Sequence, residues 1–367
     1  MHYSQELDAW IITSYAECFT ILHEAGTFGT DFFPWEYVGR DEEVAGRKQI
    51  FAGITRLTNS VGPDHVRKRA AVGSAFSQTA VEAFRPRIVE VAEQYVAALP
   101  PGEQVEMIDT FAKPIPDTLL ADLLGLTVDE YAAAAAWGRS MAIASEPYAS
   151  AEQLEEGREG REQFAAFLAA VPPGGPDATG VIALARRAEE AGDITADEAL
   201  SVIIDVALGD GLTALIGSSL LTLSQHPDEL KRLHEDPSLI LNGVEELARF
   251  DPPPHILIRV ATAETTLGGQ QLEPGAMLFL MVGAANRDPA EFEDPDRFDI
   301  ERENQRHLTF SAGEHFCIGA PFSRVVLTEV MNAFLSRFGH VALVADGVHR
   351  PEGFLARGFD RLDLIVS

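Results

Sequence analysis

Apolar residues recur along most of this chain at every third or fourth position, and only a few short stretches read as strands. Asp8-Ala9-Trp10-Ile11-Ile12-Thr13 is one such strand, followed by helical spacing from Tyr15 to His23. Between Thr27 and Thr58, Gly, Pro and aromatic residues mix without a period, which predicts loop with short helices. Gly62-Pro63-Asp64-His65 opens a helix, and the span from 75 to 170 is almost wholly helical, with Ala-rich amphipathic runs at Ile88 to Leu99 and Tyr131 to Ala144. Pro100-Pro101-Gly102 and Pro172-Pro173-Gly174-Gly175-Pro176 punctuate it as turns, not domain linkers, because apolar periodicity resumes on both sides. The longest helical candidate runs from Thr195 to Gln225, with Thr195 and Glu198 at capping-box spacing. Another carries Glu245 to Arg249 and is broken by Asp251-Pro252-Pro253-Pro254. His255 to Val260 reads as a strand, and Thr265 to Val282 as a strand pair with turns at Gly268-Gly269 and Pro274-Gly275. The pattern predicts a mainly α protein with small β-sheets, folded as a single domain over residues 1–367.

Two places resist a purely structural reading. The long helix contains Ala207-Leu208-Gly209-Asp210-Gly211-Leu212-Thr213, where each interior glycine costs about 1 kcal/mol relative to alanine. Close approach of a cofactor, or a local widening of the helix, would account for that. The second place is Phe310 to Arg324, which holds Cys317 just ahead of a helix opened by Pro321 and carrying Val325, Val326, Leu327, Val330 and Met331. A thiolate there gains from the helix dipole and from unpaired backbone N–H groups, conditions that favour metal ligation or nucleophilic attack. Gly313 and Gly319 bracket the sulfur where a side chain would obstruct a flat partner or a tight turn. The other cysteine, Cys18, reads as a small buried hydrophobe. A zinc site would need about four clustered ligands, which His307 and His315 do not supply.

Phe310-x-x-Gly313-x-His315-x-Cys317-x-Gly319 resembles the haem-binding loop of the cytochrome P450 family. The resemblance implies that family's fold from about Asp8 to the C-terminus, with a shortened N-terminal arm. It also implies haem b (iron protoporphyrin IX) ligated through its iron by the Cys317 thiolate, whose electron donation favours O–O cleavage. His65, Arg69 one turn later, Arg259, His307 and His315 match the family's propionate donors, and Ala207 falls beside the cofactor. Pro295-Asp296-Arg297-Phe298 matches a later element whose arginine completes a buried triad, here Glu246, Arg249 and Arg297. On the distal side, Asp210 falls on the family's proton-relaying acid and Gly211 on its threonine. Thr213 lies two residues late, about 200° round the helix from Gly211. Leu208, Ile256, Leu257, Leu355 and Phe359 are the candidate substrate lining, with Ala207 nearby, and they are apolar. The implied activity is oxidation of a small organic, apolar or aromatic metabolite with dioxygen, using a ferredoxin and ferredoxin reductase as electron donors. Gly211 keeps open dehydrogenation, oxidative coupling or another reaction without oxygen insertion, and a non-catalytic haem-binding or sensor protein is the reading from another class.

Composition narrows the setting. A 46% hydrophobic content over 367 residues is enough for a sizeable core. The formal net charge of -29 argues against nucleic acid or an anionic membrane as partner, because both repel such a surface. An acidic electron carrier would need a local basic patch, and His65-Val66-Arg67-Lys68-Arg69 is the densest basic run. Two cysteines make no disulfide framework, and the first residues, Met1 to Glu6, lack a basic and apolar leader, so a cytoplasmic protein is expected.

Overall fold

A computed structural model describes residues 1–30, 56–144, 149–171, 178–208, 210–351 and 357–367. The protein is mainly α-helical with small sheets, in two compact units. The first comprises Met1–Phe28, Val81–Pro116 and Asp210–Ser367; the second comprises Gly29–Ala80 and Asp117–Gly209. Neither unit is one continuous stretch of sequence.

In the first unit, strand Ala9–Ile12 pairs antiparallel with His2–Ser4 and parallel with Met277–Met281, which pairs antiparallel with Ile256–Ala261. Alternation along these strands gives two apolar faces. Ile12, Leu278 and Leu280 pack with Cys18, Ile21, Leu22, Phe292 and Leu308 on one side. Ala9, Ile256, Met277 and Phe279 cluster on the other. The region read as one strand pair from Thr265 to Val282 divides differently. Thr265–Leu267 and Gln270–Leu272 close on each other through Gly268 and Gly269 (φ +53° and +77°), while Met277–Met281 joins the larger sheet. Helices Asp210–Gln225, Pro227–Glu235, Ile240–Phe250 and Ala320–Arg337 pack together in the same unit. Gln104–Glu106, Arg361–Val366 and Val341–His349 form a three-stranded sheet beside them.

The second unit is a helical bundle. Val128–Ala144 and Ala151–Ala170 approach so closely that a Cβ on Gly157 would collide with Ala144, and one on Gly160 with Ser140. The expected capping box is present: Thr195 Oγ1 accepts the Glu198 amide at 3.3 Å, and the Glu198 carboxylate accepts the Thr195 amide at 2.8 Å. The helix it starts is shorter than the sequence pattern predicts. It stops at Ala207, Leu208 leaves helical geometry (φ −77°, ψ 77°), and a separate helix begins at Asp210. Glycines at 209 and 211 make this the weakest place to sustain the backbone ladder. The span 196–225 is apolar enough by composition to cross a membrane, but 69% of its most apolar window is buried inside the protein.

Candidate functional site

Cys317 follows a single three-ten turn, Gly313–His315, and precedes the helix Ala320–Arg337, which has proline in its first turn. Its amide donates to the Phe310 carbonyl at 2.9 Å and its carbonyl accepts the Ala320 amide at 3.2 Å, so the backbone on both sides of the sulfur is fixed. The Cys317 side chain is exposed. Cys18 is its opposite: buried, with the thiol pushed up to about 12 chiefly by burial. Gly313 is required where it stands. At φ +65° any Cβ would collide with the Leu22 carbonyl oxygen and come within 3.0 Å of His23 Cα. Gly319 is different, since a Cβ there would meet Cys317 Sγ at an ordinary 3.8 Å, and any stricter demand must come from whatever the sulfur binds.

The same unit buries a cation that has no carboxylate partner among the described residues. Arg259, on strand Ile256–Ala261, is only 6% exposed, and its Nη1 donates to the Ile258 carbonyl at 2.8 Å. No carboxylate pairs with it among the described residues, and burial pushes its pKa down to about 10. A buried guanidinium without a counter-ion is costly. An exposed thiol ahead of a helix, a glycine-shaped turn and an unmatched buried arginine fit a group that offers both a metal and a carboxylate, as an iron porphyrin does. In the other unit, His65 is buried and Arg69 half-buried one turn later on helix Gly62–Gly73.

A family model described as Cytochrome P450 matches residues 216–354. The chain is 30% identical to 6-deoxyerythronolide B hydroxylase of Saccharopolyspora erythraea, over 97% of its own length and 89% of that protein's. It is 32% identical to vitamin D(3) 25-hydroxylase of Pseudonocardia autotrophica, over 96% and 83%. This chain belongs to the cytochrome P450 family. Its fold superposes on the solved structure of cytochrome P450 PksS from the Bacillus subtilis bacillaene polyketide synthase with a TM-score of 0.85 and 28% identity, covering 98% of this chain and 90% of the other.

Within this P450, several side chains lie elsewhere than the sequence suggested. Glu246 and Arg249 do form a buried pair, at 2.6 and 2.8 Å, both 1% exposed. The third member is Arg302, not Arg297. Arg302 Nε lies 3.1 Å from Glu246 Oε2, whereas the Arg297 side chain is 62% exposed and pairs with Asp299 at 3.7 Å. Arg297 contributes its backbone carbonyl, which accepts from Arg249 at 3.3 Å and Arg302 at 2.9 Å. The chain folds back after Phe298, the Asp299 amide bonds Glu246 at 2.9 Å, and this turn carries Arg302 inward. No local pattern marks it.

His307 also differs from its assignment as a propionate donor. Its Nε2 lies 3.2 Å from Glu245 Oε2 and its Nδ1 3.3 Å from the Thr309 amide, so both nitrogens are engaged inside the protein. His315 lies on the three-ten turn, and Phe310 is buried at the start of the cysteine loop. Ala207 is fully buried and its carbonyl accepts the Tyr131 hydroxyl at 3.0 Å, so it presents no open surface to a cofactor. Ile256 and Leu257 face opposite sides of their strand, and Ile256 packs with Ala9, Met277 and Phe279. Only Leu257 shares a face with Arg259.

Leu208 covers Gly138 in the helical unit, at 3.2 Å from where a Cβ would stand, and Phe359 lies against Gly217 of the 210–225 helix at 3.0 Å. Leu355 and the Asp210 side chain lie outside the described residues. A Cβ on Gly211 would meet nothing within 4 Å, while Thr213 is half-buried. The basic run at 65–69 is not an open patch: Arg67 makes two bonds to Glu198, at 2.6 and 2.7 Å, and Lys68 is buried on Ser60 at 2.8 Å.

Proposed function

We propose that this P450 hydroxylates an apolar organic metabolite, with a ferredoxin and its reductase as electron source. The observation that carries the reading is the pairing of an exposed Cys317 thiol with a buried, anion-seeking Arg259 in one unit. When bound, the haem b iron supplies the dioxygen chemistry. Cys317 would be its thiolate ligand, and Arg259, with His315, would hold its carboxylates. Leu257 and Phe359 favour an apolar substrate. The names of the two hydroxylase relatives support insertion of oxygen as the reaction. A count of only two cysteines supports a cytoplasmic setting. The test is the Soret band of the reduced, carbon-monoxide-bound protein, which Cys317→Ser should displace, followed by product analysis under labelled dioxygen. An unchanged band in the variant would refute the thiolate ligand.

A second reading, oxidation without oxygen insertion, is favoured by Gly211, which brings no hydroxyl where the family has a threonine. Asp210 or the substrate itself would then manage the proton. Gly211→Thr separates the two, since a Cβ there meets nothing within 4 Å. If standard proton delivery is what the chain lacks, the variant raises product formed per electron consumed. If the native product contains no labelled oxygen, the second reading holds.

A further inference from the structure

Two adjacent glutamates on helix Ile240–Phe250 hold two separate charge clusters. They point about 100° apart around the helix. Glu246 organises the segment ending at Arg302, as described above. Glu245 takes Arg324 through two bonds, Nε to Oε1 at 2.7 Å and Nη2 to Oε2 at 3.0 Å, and His307 through Nε2 at 3.2 Å. The Arg324 guanidinium in turn lies over the Phe310 ring, 4.5 Å from its centroid, and the Phe310 carbonyl accepts the Cys317 amide. His307 precedes the cysteine and Arg324 follows it on the next helix, so a single carboxylate fastens both ends of the segment that presents the sulfur.

Burial by itself would raise the Glu245 pKa, but the bonds from His307 and Arg324 outweigh it and hold the group at about 2. The carboxylate is therefore ionised and fully used. Glu246 does not substitute for it, because its own oxygens are taken by Arg249, Arg302 and the Asp299 amide.

We infer that Glu245 is a positioning residue for the thiolate ligand, acting through Arg324 and Phe310 to fix the turn in which Cys317 meets the iron. The inference rests on the haem-thiolate reading above. Glu245→Gln keeps size and one hydrogen-bond acceptor but removes the charge, and Arg324→Lys keeps the charge but loses the two-pronged geometry and the stacking.

The test reads amide hydrogen exchange at Cys317, with Leu327 in the following helix as an internal reference, alongside the carbon-monoxide-bound spectrum and the thermal midpoint. For Glu245→Gln, exchange at Cys317 should rise about tenfold or more while Leu327 is unchanged, and the thiolate-type Soret band should lose intensity. Arg324→Lys should lie between that variant and the parent. Parent-like exchange and spectrum in both variants would overturn the inference, as would equal acceleration at Cys317 and Leu327, which marks general loosening. A parent protein without a thiolate-type band would instead refute the haem reading, and exchange at Cys317 in the haem-free protein would still decide the role of Glu245.

Discussion

Replacing Arg302 with alanine should cost far more than replacing Arg297, although Arg297 stands in the recognisable sequence element. Arg302 is 8% exposed and its Nε sits 3.1 and 3.3 Å from the two Glu246 oxygens. Its other nitrogens donate to the carbonyls of Glu293, Asp294 and Arg297 at 2.5, 3.1 and 2.9 Å. Truncation removes one of two cations facing a buried carboxylate and strands those carbonyls. Breaking a buried ion pair costs roughly 3–5 kcal/mol, and because Arg249 still neutralises Glu246 the lower end, about 3 kcal/mol, is expected. That is about two orders of magnitude in the folded-to-unfolded ratio. Arg297→Ala removes only an exposed 3.7 Å pair to Asp299 and should stay within about 0.5 kcal/mol. Urea unfolding followed by circular dichroism, with haem retention after gel filtration, compares the two variants directly. Equal midpoints for both, or a larger loss for Arg297→Ala, would refute the assignment.

Arg259→Ala should weaken haem binding by roughly tenfold to a hundredfold, the value of about 1.5–3 kcal/mol for a hydrogen bond to a charged group, measured by transfer to a competing haem acceptor. Haem loss at the parental rate would argue that the arginine does not meet a carboxylate. Gly313→Ala forces a side chain into the left-handed region and into the Leu22 carbonyl, so about 1–3 kcal/mol of strain and poor haem incorporation are expected. The Glu198 carboxyl is held at about 2, below its ordinary 4.5, first by the Arg67 guanidinium and, against burial, by the Thr195 amide. Because the folded value is the lower one, its stabilisation is present above about pH 4.5 and disappears as pH falls toward about 2. Solvent reaches the Arg67 side, so the contribution should be only about 1–2 kcal/mol. Glu198→Gln should flatten the acid limb of the stability–pH curve by that amount, and an unchanged limb would place the acid sensitivity elsewhere.

What the chain states locally is read correctly from its order of residues. The strand at Ala9–Ile12, the helix Tyr15–His23, the capping box at Thr195 and Glu198, and the helix opened by Pro321 each depend on residues within about four positions of one another. The cysteine loop is legible for the same reason: its glycines, its sulfur and the helix that follows are contiguous, and the demand on Gly313 is a backbone angle.

The partners of buried charges were decided only by the tertiary structure. Arg302 reaches Glu246 across 56 positions, Arg324 reaches Glu245 across 79, and Arg67 finds Glu198 across 131. Nothing in the neighbourhood of any of these residues marks the partner, and a basic run that looked like a docking patch engages Glu198 and Ser60 of the protein itself through Arg67 and Lys68. The strand face that separates Ile256 from Leu257, and the break at Leu208, likewise came from packing. Propensity and capping act within a turn of chain, while the match of a buried cation to its carboxylate is set by which surfaces the fold presses together.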